Sequence, residues 1–526
     1  MKTIFAFCVL SSLGIFRCLS QPEPADTFAR LITAERLREQ LSVIASAAME
    51  GRETGTEGQR KAAAYIESEF SLYGISSPQS LEHFQQDYGI TKDTLIPRIF
   101  TVNGQKYHYG TDYLVTPGSG DNDRFTAKDL LFLGYGISDP KYDDYAGKDV
   151  TGKVLVIFPG EPMIGHHYLI TGTSVPSSWG YSIAKKAMLA AQRGAAALLF
   201  LNPALDYIPS SLVAQSGNAT FNFDSLEGGH TKVTTVYISP ALFRNIFGSG
   251  KADSLIARGR LHAVLSEAAI ERKAKIKLAY RSVVTGGSAS NVIGYVEGSD
   301  KKEEYVFLTA HYDHLGKKGN VIYYGADDDG SGTASVIEMA RAFAKAKEAG
   351  FGPRRTVVFM TFSGEEKGLW GSSYYSDHPV FPLDSTDIDL NTDMIGRIDP
   401  NRTYGDSMNY VYIVGDDKIS RNLKSIAAAV NKQFIHLELD HKFNMANDPD
   451  RIFYRSDHYN FARKGVPIIF FFDGIHHDYH QPTDTVDKIN FGLMEKRARL
   501  IFLTAWAVAN QDQMLSRDIP LPPAGR

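Results

Sequence analysis

Cysteine is almost absent from the sequence. Among 526 residues there are two cysteines, Cys8 and Cys18, and both lie in the first twenty positions. This segment has a lysine near its start, an apolar run over 4–16 and the small residue Ser20 at its end, which predicts a secretory signal peptide over residues 1–20. Once such a peptide is removed the chain contains no cysteine, so disulfides and thiolate chemistry are excluded.

The sequence also lacks a strong excess of one charge and a second long apolar run. Its net charge is −4, and no basic stripe with interleaved aromatic residues occurs, so nothing indicates a nucleic-acid partner. The run over 4–16 is too short to cross a bilayer, which takes about 20 apolar residues, and no other stretch could do so. We therefore expect an exported protein, secreted or periplasmic, with no stable membrane insertion.

The length of the chain predicts more than one domain, because single cores stop growing beyond roughly 250–300 residues. A hydrophobic content of 43% is ordinary for a globular protein. Near residue 126 the composition changes to alternating strand, helix and strand patterns, and no cluster of His, Asp and Glu follows before about 285. We predict an N-terminal part of the main domain at 21–125, a smaller α/β insert at 126–285, the remainder of the main domain at 286–515 and a tail at 516–526.

Two amphipathic helices are predicted in the N-terminal part. Apolar residues recur at helical spacing before and after a polar, glycine-rich loop at 49–58. Such a loop could lie near a functional site, but a solvated connection is the favoured interpretation.

Near-continuous apolar strands alternate with helical patterns from Asn291 onwards. The strand candidates include YVFLTAH, TVVFMTF, IDLNT and VPIIFFF, and a long helix is predicted to end near Ala349. Strands that are apolar throughout are buried on both faces. The pattern predicts an α/β fold with a mixed, largely parallel central sheet flanked by helices.

Candidate catalytic and metal-binding side chains follow the ends of these strands. They are His311, Asp328, Glu365, Glu366, Asp393 and His480. Each has an ordinary explanation by itself, because aspartates cap helices and form turns, and glutamate pairs are often solvated. Together they supply the nitrogen ligands, carboxylate ligands and separate base of a two-metal hydrolase, at one edge of one sheet.

The adjacent glutamates suit a division of labour. Successive side chains diverge where a chain leaves a strand, so one of Glu365 and Glu366 can bind a metal while the other faces the attacking water. A carboxylate in that second position can take the proton of the water and deliver it to the leaving amine.

Several motifs resemble the dizinc exopeptidase family that includes bacterial leucyl-type aminopeptidases, glutamate carboxypeptidase and the transferrin receptor. They are HYDHLG, GADDDGSGTA, SGEEKGLWGS, NTDMIG, YRSDHYNF and HQPTDT, and they cover most of 291–515. The resemblance implies a zinc-peptidase fold with two Zn²⁺ per chain. It also implies roles for individual residues: His311 and Asp393 hold one zinc, Glu366 and His480 hold the other, Asp328 bridges both, Glu365 is the general base, Asp313 orients His311, and Asp328–Asp329 is a cis peptide.

The sequence contains further histidines near these motifs, and each must be judged as a possible metal ligand or as an ordinary polar residue. The run 476–480 offers three, of which His480 is favoured because its spacing from Asp484 matches the family pattern. Three further histidines are interpreted as ordinary polar residues: His314, His436 and His441. In Ser456-Asp457-His458 a structural or supporting role is preferred to a Ser–His catalytic pair.

The region 126–280 resembles the protease-associated insert found in the same family. The similar segments are GYGI, YAGKDVTGKVLVIF and AAQRGAAALLF. The resemblance implies that this insert shapes the access of substrates to the active site.

These observations predict an exported zinc-dependent aminopeptidase that removes N-terminal residues from peptides, with hydroxide bound by two metals as the nucleophile and Glu365 as general base. A carboxypeptidase of the same family is an alternative and would bind the terminal carboxylate through arginines, for which the candidates are Arg397, Arg402, Arg451 and Arg455. A non-catalytic binding protein on the same fold is disfavoured by the complete ligand set. Peptides are the expected partners, while side-chain preference and oligomeric state are left open.

Overall fold

The computed structural model describes residues 24–116, 124–208, 220–223, 233–265, 269–445 and 448–521. The predicted signal peptide at 1–20, with both cysteines, lies outside the described residues. Contacts divide the described chain into two compact units, the first comprising 24–86 and 290–521 and the second 87–289. In the part of the chain that the structure describes, no helix has the length and apolar character needed to span a membrane.

The first unit is built on a mixed sheet. Its strands, in sheet order, are Glu438–Asp440, Tyr410–Val414, Ile468–Phe472, Thr386–Thr392, Lys301–His311, Arg355–Phe362 and residues 292–296 of the strand Ile270–Val296. The four strands from 468–472 to 355–362 run parallel to one another, whereas 410–414 and 292–296 are antiparallel to their neighbours within this group. The predicted mixed, largely parallel sheet is confirmed.

The central strands are apolar throughout because both faces of the sheet are covered. Along Lys301–His311, Leu308 packs into one buried cluster and Phe307 into another, since successive side chains of a strand point to opposite faces. The register pairs Leu308 with Phe359 on one side and with Leu390 on the other.

Helices close the two faces of the sheet. Those that contribute to the first buried cluster are Pro24–Ala29, Ala34–Ile44, Glu57–Leu72, Gly332–Glu348, Leu423–Val430 and Phe491–Asn510. Those that contribute to the second cluster are Trp370–Asp377 and His458–Ala462. The helix predicted to end near Ala349 ends at Glu348.

The second unit has a run of paired strands and a hydrophobic core of its own. Its strands include Ile270–Val296 (through residues 270–279), Arg124–Phe132, Val154–Ile157, Ala197–Phe200, Thr235–Ile238 and Tyr113–Thr116, in that order across the sheet. Its helices are Ser178–Tyr181, Ile183–Gln192, Pro240–Phe247 and Ser249–Arg260 among the described residues. Buried apolar side chains from both kinds of element form the core.

The second unit begins at Asp87, earlier than the composition change at 126 indicates. The reason is strand pairing: Gln85–Val102 pairs with Thr220–Phe223, and Tyr113–Thr116 pairs with Thr235–Ile238. The domain boundaries drawn from the sequence, and the likeness of this region to a protease-associated insert, stay predictions.

Candidate metal centre

The predicted site residues meet at one edge of the first unit's sheet. His311 is the last residue of its strand, Asp393 directly follows Thr386–Thr392, and Glu365 follows Arg355–Phe362. These strands run parallel to one another, so their carboxyl ends lie at the same edge. Asp328 approaches from the segment before the helix Gly332–Glu348.

His311, Asp328 and Asp393 form a first group of possible ligands. The Nε2 atom of His311 lies 3.3 Å from Oδ1 of Asp328 and 3.6 Å from Oδ1 of Asp393. All three residues are buried, and their ligand atoms converge closely enough to hold one ion.

A second group forms around the other oxygen of Asp328. Nε2 of His480 lies 3.1 Å from Oδ2 of Asp328 and 3.1 Å from Oε2 of Glu366. Of the neighbouring histidines, His477 is exposed and His476 contacts Asp327 at 3.2 Å, so His480 is the member of the run that faces this group. One carboxylate is thus common to both groups.

His314 also belongs to the second group, although the sequence interpretation set it aside as an ordinary polar residue. Its side chain is fully buried, and its Nδ1 lies 2.8 Å from Oε1 of Glu366. The signal that could have found it is its place in the motif HYDHLG, just beyond the strand that ends in His311.

The ligand atoms fit a pair of zinc ions. Two atoms bound tetrahedrally to zinc at about 2.0–2.1 Å are about 3.4 Å apart, close to the separations within both groups. Several of these atoms are buried with no aligned hydrogen-bond partner among the described residues: His311 Nε2, His314 Nδ1, Asp328 Oδ2 and Glu366 Oε1. Such atoms are costly to leave unsatisfied, and a bound cation satisfies them together.

In the run of three aspartates at 327–329, the two outer residues have a different role from Asp328. Asp327 accepts a hydrogen bond from the backbone N–H of Gly396 at 2.7 Å, and Asp329 accepts one from that of Met394 at 3.1 Å. The peptide bond between Asp328 and Asp329 is cis, as the family resemblance implies. The outer pair therefore fixes the segment while Asp328 faces both ligand groups.

The carboxylates of the site differ in their affinity for protons. Burial would raise the pKa of Asp328, but the nearby imidazoles of His311 and His480 outweigh this effect and hold the pKa well below its usual range. Burial raises the pKa of Glu365 well above its usual value, although nearby His311 offsets part of the effect. These opposite shifts in pKa favour the anionic form of Asp328 and suit Glu365 to carry a proton.

Asp313 connects His311 and Glu365. Its Oδ1 accepts a hydrogen bond from the backbone N–H of Glu365 at 3.2 Å and lies 3.6 Å from Nδ1 of His311. Nδ1 also lies 3.2 Å from the carbonyl oxygen of Asp313. This contact directs Nε2 towards the first ligand group, the orienting role that the family resemblance implies.

The loop at 49–58 supports the site, so its interpretation as a solvated connection was wrong. The hydroxyl of Thr54 donates to Oδ2 of Asp313 at 2.8 Å and accepts from the backbone N–H of Gly364 at 2.8 Å. The fully buried guanidinium of Arg52 donates to the carbonyl oxygens of Ile44, Tyr312, Tyr324 and Gly325. The polar composition concealed that these groups are buried and paired.

Ser456 and His458 do not form a catalytic pair. Nε2 of His458 lies 2.8 Å from the carbonyl oxygen of Phe453, and burial lowers the pKa of this histidine to about 3. The hydroxyl of Ser456 instead accepts a hydrogen bond from the side chain of Asn391. The structural role preferred from the sequence agrees with these contacts.

A pocket opens beside the two ligand groups. Asp328, Glu365 and Asp393 form its polar side. Its apolar walls are Met394, Ile452, Phe470, Phe472 and Ile475, with Tyr479 and Arg455 completing the lining.

Two acid-rich groups of possible ligands that share one carboxylate, with a separate glutamate beside them, are the arrangement that a two-metal hydrolase requires. Residues 291–505 match the sequence model of peptidase family M28, and this region of the chain belongs to that family. The family recognised from the motifs is confirmed. The metal roles of the individual residues stay predictions.

Relatives of known description agree with the family. The chain is 26% identical over 266 residues to a probable zinc metalloprotease of Leptosphaeria maculans, covering 43% of this chain and 58% of that protein. It is 26% identical over 253 residues to aminopeptidase YwaD of Bacillus subtilis, covering 46% of this chain and 49% of that protein. A glutamate carboxypeptidase 2 homolog of Caenorhabditis elegans is 38% identical over 91 residues, covering 17% and 11%. The chain spans about half the length of the first two.

Solved structures share the fold over almost the whole chain. An aminopeptidase from Aneurinibacillus sp. strain AM-1 superposes with a TM-score of 0.58 at 20% identity, covering 95% of this chain and all of that one. The zinc aminopeptidase BSAP of Bacillus subtilis gives a TM-score of 0.54 at 19% identity, covering 93% and 98%. At these identities the likeness establishes the fold.

Replacement of Arg52 by alanine is expected to lower the free energy of unfolding by about 4 kcal/mol or more, because four carbonyl oxygens each lose a donor at a cost of about 1–3 kcal/mol. The change would be measured by unfolding the chain in urea and recording fluorescence or circular dichroism. The control is Arg60→Ala, which removes an exposed guanidinium paired with the exposed Glu57 and should change stability by less than about 0.5 kcal/mol. An equal loss of stability in both variants would contradict the stabilising role assigned to Arg52.

Glu366→Ala should reduce the bound zinc by about one equivalent per chain, since it deletes a ligand of the second group and leaves the first group intact. Metal content after dialysis at fixed free zinc, measured by mass spectrometry, checks this. Glu348→Ala, at an exposed position on a helix end, is the control. Retention of full metal content by the Glu366 variant would remove this residue from the ligand set.

Proposed function

We propose that the chain is a zinc-dependent aminopeptidase that removes N-terminal residues from peptides. The observation that carries the proposal is the pair of ligand groups sharing Asp328, next to Glu365 and at the head of an apolar pocket. The membership of 291–505 in a peptidase family supports it. We also propose that the protein is exported, and this part depends on the signal peptide predicted at 1–20.

Two zinc ions per chain complete the proposed site. His311 and Asp393 would hold one and Glu366 and His480 the other, while Asp328, which faces both pairs, would be shared between the two ions. When bound, zinc polarises a carbonyl group and lowers the pKa of water towards neutrality.

Glu365 is proposed as the residue that moves protons. It lines the pocket, and its Oε2 lies 3.8 Å from Nε2 of His311. Because burial raises its pKa well above the ordinary value, the carboxylate can take a proton from the attacking water and hold it. It then delivers the proton to the nitrogen of the departing peptide. Asp313 acts as a positioning residue through its contacts with Glu365 and His311.

The charges around the pocket favour the aminopeptidase over the carboxypeptidase. Arg397 is engaged by Asp478 at 2.9 Å, and Arg402 is engaged by Glu438 at 2.6 Å. Of the four candidate arginines, Arg455 is the one in the lining of the pocket. A single guanidinium gives a terminal carboxylate weaker support than the cluster of arginines that the carboxypeptidase alternative requires.

The apolar walls of the pocket suit an apolar side chain next to the scissile bond. Phe470, Phe472 and Met394 have little exposed surface, so they form firm walls rather than a mobile surface. A peptide with an N-terminal leucine is therefore the substrate with which to test the proposal.

Glu365→Gln should retain both zinc equivalents and lower kcat by a factor of about 10³ or more, because the amide keeps the shape of the side chain but cannot accept the proton. Turnover of a leucine-first peptide and metal content would be measured on the same sample. The exposed Glu348→Gln variant should match the wild type in both measurements. Undiminished turnover in the Glu365 variant would exclude this residue as the base.

One leucine-first peptide in three forms separates the possible functions. With zinc present, the free and C-amidated forms should be cleaved, and N-acetylation should abolish cleavage because it removes the ammonium group. Cleavage lost only on amidation would assign a carboxypeptidase and direct attention to Arg455. A zinc-loaded protein that cleaves none of the three forms would contradict the peptidase and favour the binding-protein alternative.

A further inference from the structure

The proposed set of five metal ligands gives no role to His314, although this residue lies among them. It lies beyond the strand that ends in His311, and its backbone N–H donates to the carbonyl oxygen of Arg52 at 3.3 Å. The side chain is completely buried. Its Nδ1 atom lies 2.8 Å from Oε1 of Glu366 and 3.8 Å from Oδ2 of Asp328, which places it inside the second ligand group.

An ordinary hydrogen bond does not account for this imidazole. Although Nδ1 and Oε1 of Glu366 are close, neither nitrogen of His314 has an aligned hydrogen-bond partner among the described residues, and Oε1 has none either. Buried polar atoms left in this state destabilise the folded chain. Atoms that are close together, unaligned for hydrogen bonding and pointed at a common centre have the arrangement of metal ligands.

The ring of His314 is held in place by its surroundings. It packs so closely on Gly325 that a Cβ atom at that position would come within 2.4 Å of its Cγ. On another side the ring of His480 meets it edge to face, with 5.9 Å between ring centroids. The position of Nδ1 in the second group is therefore fixed by packing and does not depend on a mobile side chain.

We propose that His314 is a further ligand of the second metal ion, binding through Nδ1 together with Asp328, Glu366 and His480. The inference depends on the zinc centre of the proposed function, but not on the substrate. The separations of neighbouring ligand atoms in this set run from 2.8 to 3.8 Å and bracket the value of about 3.4 Å for tetrahedral zinc. Two nitrogens and two carboxylate oxygens form an ordinary zinc donor set.

The additional ligand makes the two metal positions unequal. The second group then has four protein ligands, the number that closes a tetrahedral zinc site, whereas the first group has three. A zinc ion held by the first group would keep one position free for water or substrate, and Glu365 lines the pocket beside that group. The second ion should be held more tightly and remain when the first is removed.

The first test is a zinc titration of the purified full chain against a chelator buffer, read as equivalents bound. The wild type should lose its ions in two separate steps. In His314→Ala the tighter step should weaken by about 100-fold or more while the weaker step persists, since ligand loss costs at least as much as loss of a supporting contact. His436→Asn, which changes an exposed histidine, is the matched control and should bind as the wild type does. An unchanged tight step in His314→Ala would overturn the proposal.

A second test distinguishes a metal ligand from a residue that merely orients Glu366. His314→Cys places a thiolate at the same position, and Sγ reaches about as far from the backbone as Nδ1 does. Cobalt-loaded protein should then gain a thiolate-to-cobalt absorption in the near ultraviolet beyond any that Cys8 and Cys18 give in cobalt-loaded wild type. Two cobalt ions bound without this band would overturn the proposal, even if the alanine variant had lost metal through misfolding.

Neither test uses peptide hydrolysis. A chain that binds zinc in two steps and loses the tight step with His314 would support the inference even if no peptide were cleaved. Active peptidase whose His314 variants bind metal normally would leave the proposed function in place and remove only the inference.

Discussion

The site depends on one carboxylate serving two groups of ligands at once. Oδ1 of Asp328 faces His311, and Oδ2 faces His480, so the positions of both groups are fixed relative to a single side chain. A small displacement of Asp328 would change distances in both groups. The segment that carries it is accordingly tied on each side, because Asp484 accepts hydrogen bonds from the backbone of Asp327 and Asp328 while Asp329 is bonded to Met394.

A second layer of contacts places the remaining groups around that carboxylate. The loop at 49–58 contributes Thr54, which bonds to Asp313, and Asp313 in turn positions His311 and the backbone of Glu365. Thr54, which is distant in sequence from every proposed ligand, thus acts through Asp313 on the orientation of the His311 imidazole and of the proposed base, Glu365. The polar interior of this region is acceptable because most of its members have partners, and the few ligand atoms without them converge where a cation would lie.

Much of the fold and the site could be predicted from the sequence because periodicity and strand ends carry that information. Continuous apolar strands required a sheet covered on both faces, and parallel order brought His311, Glu365 and Asp393 to one edge. His314 and Arg52 could not be placed in this way. Neither belongs to a periodic pattern, and their roles depend on burial by segments far along the chain, which local composition does not report. The start of the second compact unit at Asp87 depends on pairing between distant strands, which local composition does not report either.

The walls of the pocket have a consequence for how substrate preference can change. Phe470 and Phe472 line the pocket, yet they belong to a strand between two others in the sheet and to the hydrophobic core. Phe470 also stacks on His458, with 4.7 Å between ring centroids. Selection for a larger substrate side chain would replace these phenylalanines by smaller residues and open a cavity in the core, and this class of change commonly costs about 3–5 kcal/mol. New specificities should therefore arise more readily at Ile475, which lies beyond the end of the strand, than at Tyr479, whose ring stacks on His480 with 3.9 Å between ring centroids.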